Sequence, residues 1–443
     1  MRLRLVSVAL AAALSSLVAC DAGDAPDAAG DEANLSATPE AEADLARDVI
    51  STGLELDLRA RTGKATIKVA PSERAGLSFE IGDLDVRSVS MRGAPLKTRT
   101  VDRTTPPRTR AQQLDIGVPV GKDPVEIEIT YRFQDHDKFD GWVAGSDVSF
   151  LWPYFCSNLY PCHSSPADGS TFTMKVTGVP AGETAVFAES IPFEAPTYMP
   201  AIAVGRFTFT ELGTTRAGTQ VGVFKLAGAS AGTAAATAEM VDIFDWYEQT
   251  IGPYKFGKKV ASVQANWGPG AFGGMEHHPF WHVAEGAMGT EEVHAHEAAH
   301  GWFGDGVRIR CWEDFVLSEG TTSYLAARAI EQTRGPAAGQ EIWASYRSQL
   351  ARAIAGGDTR AWPQTCNQID ILADGLFSDL PYMKGAFFFR AVAKEIGPDK
   401  LDEVLAVFYQ ERRGTAAGMQ DLLDAIQAQT GFDPSALASH WLR

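Results

Sequence analysis

A five-residue motif, His296-Glu297-Ala298-Ala299-His300, constrains this chain more than any other stretch. On a helix, residues four positions apart lie on one face, so His296 and His300 can present two imidazoles to one metal ion. Glu297 lies one residue further round the helix, close to such an ion but displaced from it. That position suits a general base for a water molecule at the metal. The motif therefore predicts a helical zinc site with a base beside it.

A tetrahedral catalytic zinc needs a third protein ligand and keeps one open position for water. Glu319, in Leu317-Ser318-Glu319-Gly320, is the natural candidate, and eighteen residues separate it from His300. That interval accommodates a helix end, a loop and the start of a second helix. The sequence therefore predicts one zinc ion per chain, held by His296, His300 and Glu319.

Four motifs, which occur along the chain in the family's order, resemble those of the M1-type (gluzincin) zinc aminopeptidases. The zinc motif continues as His300-Gly301-Trp302-Phe303-Gly304-Asp305, similar to H-x-W-F-G-N/D, and residues 312–320 are similar to W-x-D-x-W-L-N-E-G. Gly273-Gly274-Met275-Glu276-His277 resembles the exopeptidase motif G-A/G-M-E-N. Tyr382-Met383-Lys384-Gly385 resembles Y-x-K-G, whose Tyr is catalytic. The resemblance covers residues 45–443 and is strongest beyond residue 200.

This resemblance implies a zinc-dependent aminopeptidase that hydrolyses the N-terminal residue of peptides. Glu297 would activate the zinc-bound water and pass its proton to the leaving amine. Tyr382 would donate a hydrogen bond to the oxyanion, which zinc also stabilises. Glu276 would pair with the free α-amino group of the substrate, so peptides with a free N-terminus are the expected partners. The implied substrate-binding residues of this motif are Gly273, Gly274, Met275, Glu276 and His277.

Three positions depart from the family's pattern. His277 stands where most members have Asn, which is expected to alter contacts with the first substrate residue. Trp152 stands nine residues before Pro161-Cys162, where many members place a second amine-binding Glu or Gln. Amine recognition is therefore expected to depend mostly on Glu276, with Trp152 lining the pocket. An acidic residue that often follows the third ligand by seven positions is Ala326 here, so support for the zinc ligands must come from elsewhere.

The chain begins with a targeting signal. Two arginines precede an apolar stretch, residues 5–14, that is too short to span a bilayer. Leu17-Val18-Ala19-Cys20 then resembles a bacterial lipoprotein signal, with Cys20 as the lipidated residue; an ordinary secretory signal is the alternative. Residues 1–19 are predicted to be a signal peptide. The expected location is the bacterial cell envelope, lipid-anchored and facing the periplasm or the exterior.

The segment after the signal is strongly acidic. Residues 21–46 hold eight acidic and no basic side chains. Such a segment cannot bury enough apolar surface to fold, so residues 20–46 are predicted to be a flexible tether to the membrane. The whole chain carries a net charge of −17 and lacks basic clusters, which argues against nucleic acid as a partner. The sequence leaves homo-oligomerisation open.

Four cysteines follow Cys20, namely Cys156, Cys162, Cys311 and Cys366. An even number in an exported protein predicts disulfides, and three pairings can be drawn. We favour Cys156–Cys162 with Cys311–Cys366, because each pair then lies within one proposed domain. These cysteines form no C-x-x-C motif, so they are not expected to bind zinc.

Periodicity predicts an α+β chain of two domains. Residues 47–205 contain runs that alternate with period two, as half-buried strands do, and no long helical period. They resemble the family's N-terminal, saddle-shaped antiparallel β domain. Residues 206–443 resemble a thermolysin-like zinc peptidase domain, with the exopeptidase motif on an edge strand beside the zinc cleft. The predicted strands are 65–69, 77–81, 125–131, 171–176, 207–212, 220–226 and 260–264, and the predicted helices include 240–247, 386–396, 401–408, 422–426 and 435–442.

Two other functions are considered. A zinc endopeptidase on the same core is disfavoured by Glu276, because an endopeptidase gains nothing from a charge that captures a free amine. A non-catalytic envelope protein with a structural zinc is disfavoured by Glu297, since a structural site needs no base and normally closes its fourth position. Many family members also carry a further helical domain that caps the active site. None is found here, so a more open cleft or a covering partner is expected.

Overall fold

A computed structural model describes residues 43–105, 109–137, 140–145, 148–149, 155–227, 232–267, 273–357, 360–363, 365–367 and 376–443. Strands dominate up to residue 226 and helices dominate after residue 290, so the predicted α+β class is confirmed. Within the described ranges, no helix has both the length and the apolar character needed to cross a bilayer.

The strands before residue 206 are short, and most expose one face. Numbered in chain order, they are β1 (Val49–Asp57), β2 (Thr62–Val69), β3 (Leu77–Glu80), β4 (Asp85–Met91), β5 (Ala94–Pro95), β6 (Thr98–Thr105), β7 (Thr109–Ile116), β8 (Val125–Arg132), β9 (Trp142–Val143), β10 (Val148–Ser149), β11 (Ser170–Thr177), β12 (Thr184–Phe187), β13 (Ser190–Ala195) and β14 (Ile202–Gly205). The four predicted strands of this part coincide with β2, β3, β8 and β11 to within a few residues. Alternation of apolar and polar side chains was therefore a sufficient signal here.

These strands form three sheets. Their orders are β13-β11-β1-β2-β8-β4-β5, β12-β14-β10-β9 and β3-β7-β6. Every pair is antiparallel except β1 with β11, which run parallel from Ser51 opposite Thr171 to Asp57 opposite Thr177. A parallel pair requires a long crossover, and the strands β2 to β10 provide that connection. The expected antiparallel domain thus contains one parallel pair that local periodicity does not reveal.

The part after residue 206 combines a mixed sheet with a layer of helices. Its strands are β15 (Phe207–Thr214), β16 (Gln220–Leu226), β17 (Lys259–Ala265), β18 (Gly274–Met275), β19 (Phe280–Ala284), β20 (Arg308–Ile309) and β21 (Ala416–Ala417). Its helices are α1 (Thr233–Ala236), α2 (Met240–Thr250), α3 (Glu291–Ala299), α4 (Phe315–Arg334), α5 (Pro336–Gly356), α6 (Asp379–Ile396), α7 (Pro398–Arg412), α8 (Met419–Thr430) and α9 (Ser435–Trp441). The five-stranded sheet has the order β15-β16-β17-β19-β18. The exopeptidase motif therefore begins on the edge strand β18, as predicted.

The two parts are joined by a buried arginine on β20. The guanidinium of Arg308 donates to the carbonyl of Ala167 at 3.2 Å and to the carbonyl of Glu194 at 3.3 Å, both in the N-terminal part. It also donates to the carbonyl of Gly414 at 3.2 Å, beside β21. Because a buried charge must be fully hydrogen-bonded, Arg308 fixes the N-terminal sheets against the zinc-binding part. The N-terminal part is thereby held in place, and one of its residues, Tyr198, contacts Glu276.

Two disulfides close loops near the ends of the catalytic elements. Cys156 is bonded to Cys162, and Cys311 is bonded to Cys366. This is the pairing that the domain argument favoured. Cys311 immediately precedes the turn that leads into α4, so its disulfide ties the start of a ligand-bearing helix to the segment after α5.

Candidate zinc and peptide-binding site

Helix α3 places the first two candidate ligands. It begins at Glu291, and His300 stands directly after its last residue while keeping helical backbone angles. His296 and His300 therefore face one direction, with ring centroids 4.9 Å apart. Both side chains are buried, together with Glu297 between them. The two imidazoles converge as the four-residue spacing predicts.

The carboxylate of Glu319 joins the two imidazoles from the first turns of α4. Its Oε2 lies 3.0 Å from His296 Nε2 and 3.4 Å from His300 Nε2, and the two Nε2 atoms are 3.2 Å apart. Zinc bonds to nitrogen and oxygen of about 2.0–2.1 Å in a tetrahedron place ligand atoms about 3.3 Å apart. The three atoms therefore fit a zinc ion, and their donor set of two imidazoles and a carboxylate is that of a catalytic site.

Hydrogen bonds to the far sides of the imidazoles hold the ligands in place. His300 Nδ1 lies 3.0 Å from the carbonyl of Phe303 and 3.3 Å from Ser318 Oγ. His296 Nδ1 lies 3.4 Å from Ser323 Oγ. These contacts orient both Nε2 atoms toward the carboxylate. Ser318 and Ser323 thus supply the support that the sequence left unassigned at Ala326, and only their proximity to the ligands identifies them.

Close contact between α4 and α6 brings Tyr382 to the ligands. A Cβ atom on Gly320 would lie 2.7 Å from the Cα of Gly385, and one on Gly385 would lie 2.4 Å from the Cα of Gly320. Only glycine at both positions allows this approach. Tyr382, one turn before Gly385, consequently stacks on the His296 ring at a centroid distance of 5.7 Å. Gly320 and Gly385, which belong to two separate motifs, therefore allow the close helix contact that places Tyr382 beside His296.

Strand β18 runs beside α3 and contacts Glu297, the candidate general base on that helix. A Cβ atom on Gly274 would lie 2.2 Å from Glu297 Oε1, so any side chain at this position would displace that carboxylate. Two further neighbours follow the same order along β18 and α3. Gly273 lies beside Val293, and the Glu276 carboxylate lies within 4.8 Å of the His300 ring nitrogen. The strand and the helix thus run in the same direction, and the exopeptidase motif forms one wall of the site.

A buried histidine holds the end of α3. The carbonyl of Glu297 accepts a hydrogen bond from His278 Nε2 at 2.8 Å, and His278 Nδ1 accepts one from the Tyr254 hydroxyl at 2.8 Å. Burial lowers the pKa of His278 to about 3, so the ring is neutral and has one N–H to donate. A carbonyl in the last turn of a helix lacks an intrahelical partner, and His278 provides one. The backbone that carries the base is therefore fixed.

Burial and neighbouring charges shift the pKa values of Glu297, Glu319 and His300. Burial raises the pKa of Glu297 well above its ordinary value; His300 opposes this rise, and the carboxylates of Glu276 and Glu319 add to it. Burial would also raise the pKa of Glu319, but His300 and His296 outweigh it and lower that pKa to about 2. The pKa of His300 is raised because Glu319 and Glu276 outweigh its burial. Three carboxylates, those of Glu276, Glu297 and Glu319, thus lie around His300, and a bound dication would offset the repulsion between them.

Glu276 lies at the end of this wall, where the N-terminal part reaches the site. It is buried, its pKa is raised by burial, and it hydrogen-bonds the Tyr198 side chain. Tyr198 lies between β13 and β14, so it is a first-domain contact that the sequence analysis missed and that no local pattern signals. His277 points elsewhere, with its ring 4.9 Å from that of His282. Trp152 lies outside the described residues.

A cavity of about 230 Å³ opens over the ligands. Gly273, Gly274, Met275 and Glu276 line one side, and Tyr382 lines another, whereas His277 is not among the lining residues. The remaining described lining residues include Glu292, Val293, Phe315, Ser323, Gln349, Phe377, Ser378, Asp379 and Met383. The cavity therefore joins all the candidate ligands, the base, the tyrosine and most of the exopeptidase motif. It has the concave form of a ligand-binding site, and its lining combines apolar side chains with a cluster of charged and polar ones.

Comparison with known proteins agrees with this geometry. Residues 279–441 match the sequence model of the peptidase family M1 domain. This part of the chain is a peptidase family M1 domain. The match covers three of the four motifs, with the zinc motif, Glu319 and Tyr382, and begins just after the exopeptidase motif of residues 273–277. The predicted resemblance to the M1 family is thereby confirmed.

Relatives of the M1 domain extend the comparison over most of the chain. Leucine aminopeptidase 2 of Neurospora crassa is 25% identical over 388 residues, which are 80% of this chain and 56% of that protein. The M1 zinc metallopeptidase of Deinococcus radiodurans has a similar fold, with a TM-score of 0.74, 20% identity and coverage of 89% of this chain and 94% of its own. Yeast LTA4 hydrolase gives a TM-score of 0.75 at 20% identity, over 89% of this chain and 67% of its own. The chain thus spans little more than half the length of the curated relative.

Proposed function

We propose that this chain is a zinc aminopeptidase that removes the N-terminal residue of peptides. The observation that carries the proposal is the position of Glu276, whose carboxylate meets Glu297 and His300 within 4.8 Å at one end of the cavity. A carboxylate there can pair with a free α-amino group while the first peptide bond lies over the zinc ligands. An internal peptide bond offers no such cation, which favours an exopeptidase over an endopeptidase.

His296, His300 and Glu319 would hold the zinc ion. When bound there, zinc would supply Lewis-acid activation of a water molecule and of the peptide carbonyl. Glu297 would take the proton from that water and pass it to the leaving amine, because its carboxylate lies beside the zinc ligand His300 and its backbone is held by His278. Gly274 leaves room for this carboxylate against the strand.

The other residues bind and orient the substrate. Glu276 pairs with the ammonium group, and the hydroxyl of Tyr198 holds its carboxylate in position. The Tyr382 hydroxyl donates to the carbonyl oxygen as negative charge develops on it; burial raises the pKa of this hydroxyl well above its ordinary value, so it keeps its proton. Each role uses a group that the fold has already placed against the cavity.

The amine pairing gives a direct test. Wild-type protein should hydrolyse aminoacyl-p-nitroanilides at least about 100-fold faster than their N-acetylated forms, because a buried charge left without its partner rejects the uncharged analogue. Glu276→Gln should lower kcat/KM for the free-amine substrates by about 10–100-fold and change the acetylated ones little. The measurement is kcat/KM for both series, with zinc content as the check on the metal site.

Glu285→Gln is the matched control. Glu285 is an exposed carboxylate directly after β19 and, like Glu276, it precedes α3 in the sequence. It should retain the wild-type preference. Equal hydrolysis of free and acetylated substrates by the wild type would contradict the aminopeptidase proposal and favour the endopeptidase. Absence of hydrolysis with bound zinc would favour the non-catalytic alternative.

We also propose that the mature protein is a lipoprotein of the bacterial cell envelope. The support is Leu17-Val18-Ala19-Cys20 and the acidic segment that follows; the structure describes neither the signal nor this segment up to residue 42. Cys20→Ala should move the protein from the membrane fraction to the soluble fraction, because it removes the lipidated side chain. Detergent-free fractionation of the two forms provides the measurement, and recovery of the wild type in the soluble fraction would contradict the proposal.

A further inference from the structure

The cavity contains an acidic side chain that the proposed mechanism leaves without a role. Glu292 lies one turn before His296 on α3, and both residues line the cavity. Its Oε1 accepts a hydrogen bond from the Tyr346 hydroxyl at 2.6 Å. Within the described part of the chain, Glu292 forms no ion pair with a lysine or arginine. Its negative charge therefore faces the cavity without a protein cation to offset it.

The preceding residue shows that this arrangement is particular to Glu292. Glu291 also lies in the first turn of α3, but its carboxylate is paired with Arg334 of α4 and it does not line the cavity. An acidic residue in the first turn of a helix is common, because it interacts favourably with the helix dipole. That general effect accounts for both residues equally, and it does not explain why only one of them is held toward the substrate space without a cation.

The direction of α3 places Glu292 on the leaving-group side of the scissile bond. The amine anchor Glu276 lies beside His300, at the far end of the helix, and His296 lies between that end and Glu292. One helical turn rises about 5.4 Å, whereas an extended peptide advances about 3.3 Å per residue. A substrate with its ammonium at Glu276 and its first carbonyl at the ligands therefore reaches Glu292 with its second residue.

The described part of the lining offers Glu292 no long cationic side chain to pair with. Among the described lining residues there is no lysine or arginine; Asp379, in the first turn of α6, also lines the cavity and is the alternative carboxylate that the test below must distinguish. Tyr346 fixes the Glu292 carboxylate through one oxygen, and its hydroxyl also lies 3.1 Å from the carbonyl of Ser323, beside the ligand support. A fixed carboxylate in an acidic cavity attracts a cationic side chain and disfavours an anionic one.

We propose that Glu292 is a specificity-determining residue that selects lysine or arginine as the second residue of the peptide. This inference rests on the proposed aminopeptidase function, because it takes its direction from the amine anchor. The partner class is a peptide with a free N-terminus followed directly by a basic residue. Its side chain forms a charge-assisted hydrogen bond with the Glu292 oxygen that Tyr346 leaves available.

The test uses three dipeptide amides, Ala-Lys, Ala-norleucine and Ala-Glu, so that the C-terminal carboxylate does not interfere. Wild-type protein should show kcat/KM about ten-fold higher for Ala-Lys amide than for Ala-norleucine amide, the size expected of one charge-assisted hydrogen bond. Glu292→Gln keeps an acceptor for Tyr346 and should bring this ratio close to one. Glu292→Lys should reverse the order and favour Ala-Glu amide. Added salt should reduce the wild-type ratio, since the pair is partly exposed.

Glu291→Gln is the matched control and should keep the wild-type ratio. A wild-type ratio of one, or a ratio that survives in Glu292→Gln, would overturn the inference. Loss of the ratio in Asp379→Asn with its retention in Glu292→Gln would also overturn it and assign the subsite to Asp379. Hydrolysis of all three amides at equal rates would contradict this inference alone, whereas absence of hydrolysis of these amides and of aminoacyl-p-nitroanilides would overturn the proposed function and this inference together.

Discussion

Glu297→Gln is expected to lower kcat by about 10³-fold, within the range of about 10²–10⁴ that positioned proton transfer contributes. Glutamine has the same shape as glutamate and fits the space that Gly274 leaves against the strand, but it cannot take the proton of a water molecule. The zinc content should remain near that of the wild type, because the three ligand atoms belong to other residues. Steady-state kinetics and metal analysis on the same preparation measure both quantities.

Glu291→Gln serves as the control on the same helix, since its carboxylate pairs with Arg334 and lies outside the cavity lining. It should keep kcat within a factor of about three, as expected for a surface ion pair. A Glu297→Gln protein with zinc and wild-type kcat would show that another group accepts the proton. A loss of zinc in that variant would instead show that Glu297 acts as a ligand.

Glu319→Ala is expected to weaken zinc binding by more than about 100-fold. Loss of an outer partner of a metal ligand already costs 10–100-fold in metal affinity, and Glu319 contributes a ligand atom itself. Its carboxylate is also the charge that offsets a dication between two imidazoles in a buried site. Activity should be lost with the metal. Zinc titration against a chelator of known affinity, followed by assay of each sample, measures the effect.

Glu331→Gln provides the matched control, because Glu331 lies twelve residues further along α4 and is paired with Arg328 away from the zinc cavity. It should bind zinc as the wild type does. Full zinc occupancy of Glu319→Ala at low free zinc would exclude Glu319 as a ligand. His296→Ala gives an independent reading of the same site and should lose zinc as well.

Several features of the fold followed from local patterns. Alternating side chains marked strands of both parts, and the apolar stripe that begins at Met240 marked α2. The glycine and proline after Ile396 marked the end of α6, where the structure ends it. These features depend on backbone periodicity and on residues that cannot continue a helix, so a short window of sequence is enough to find them.

Features that depend on contacts between distant segments were not accessible in this way. The parallel pairing of β1 with β11 joins segments more than a hundred residues apart, and no alternation of side chains distinguishes it from an antiparallel pair. Tyr198 reaches Glu276 from a loop with no distinguishing pattern. Ser323 supports His296 only because α3 and α4 pack together.

The sequence by itself determined the positions of His296 and His300 toward a common point, because a four-residue spacing on a helix fixes their relative direction. It also predicted Glu297 as the base, and it predicted the edge position of the exopeptidase motif, which β18 confirms. The tertiary structure decided how the predicted third ligand, Glu319, and the predicted tyrosine, Tyr382, come to lie beside the two imidazoles. The physical reason is packing: α4 packs against α3, which brings Glu319 to the imidazoles, and Gly320 and Gly385 let α4 and α6 touch, which brings Tyr382 to the same cavity.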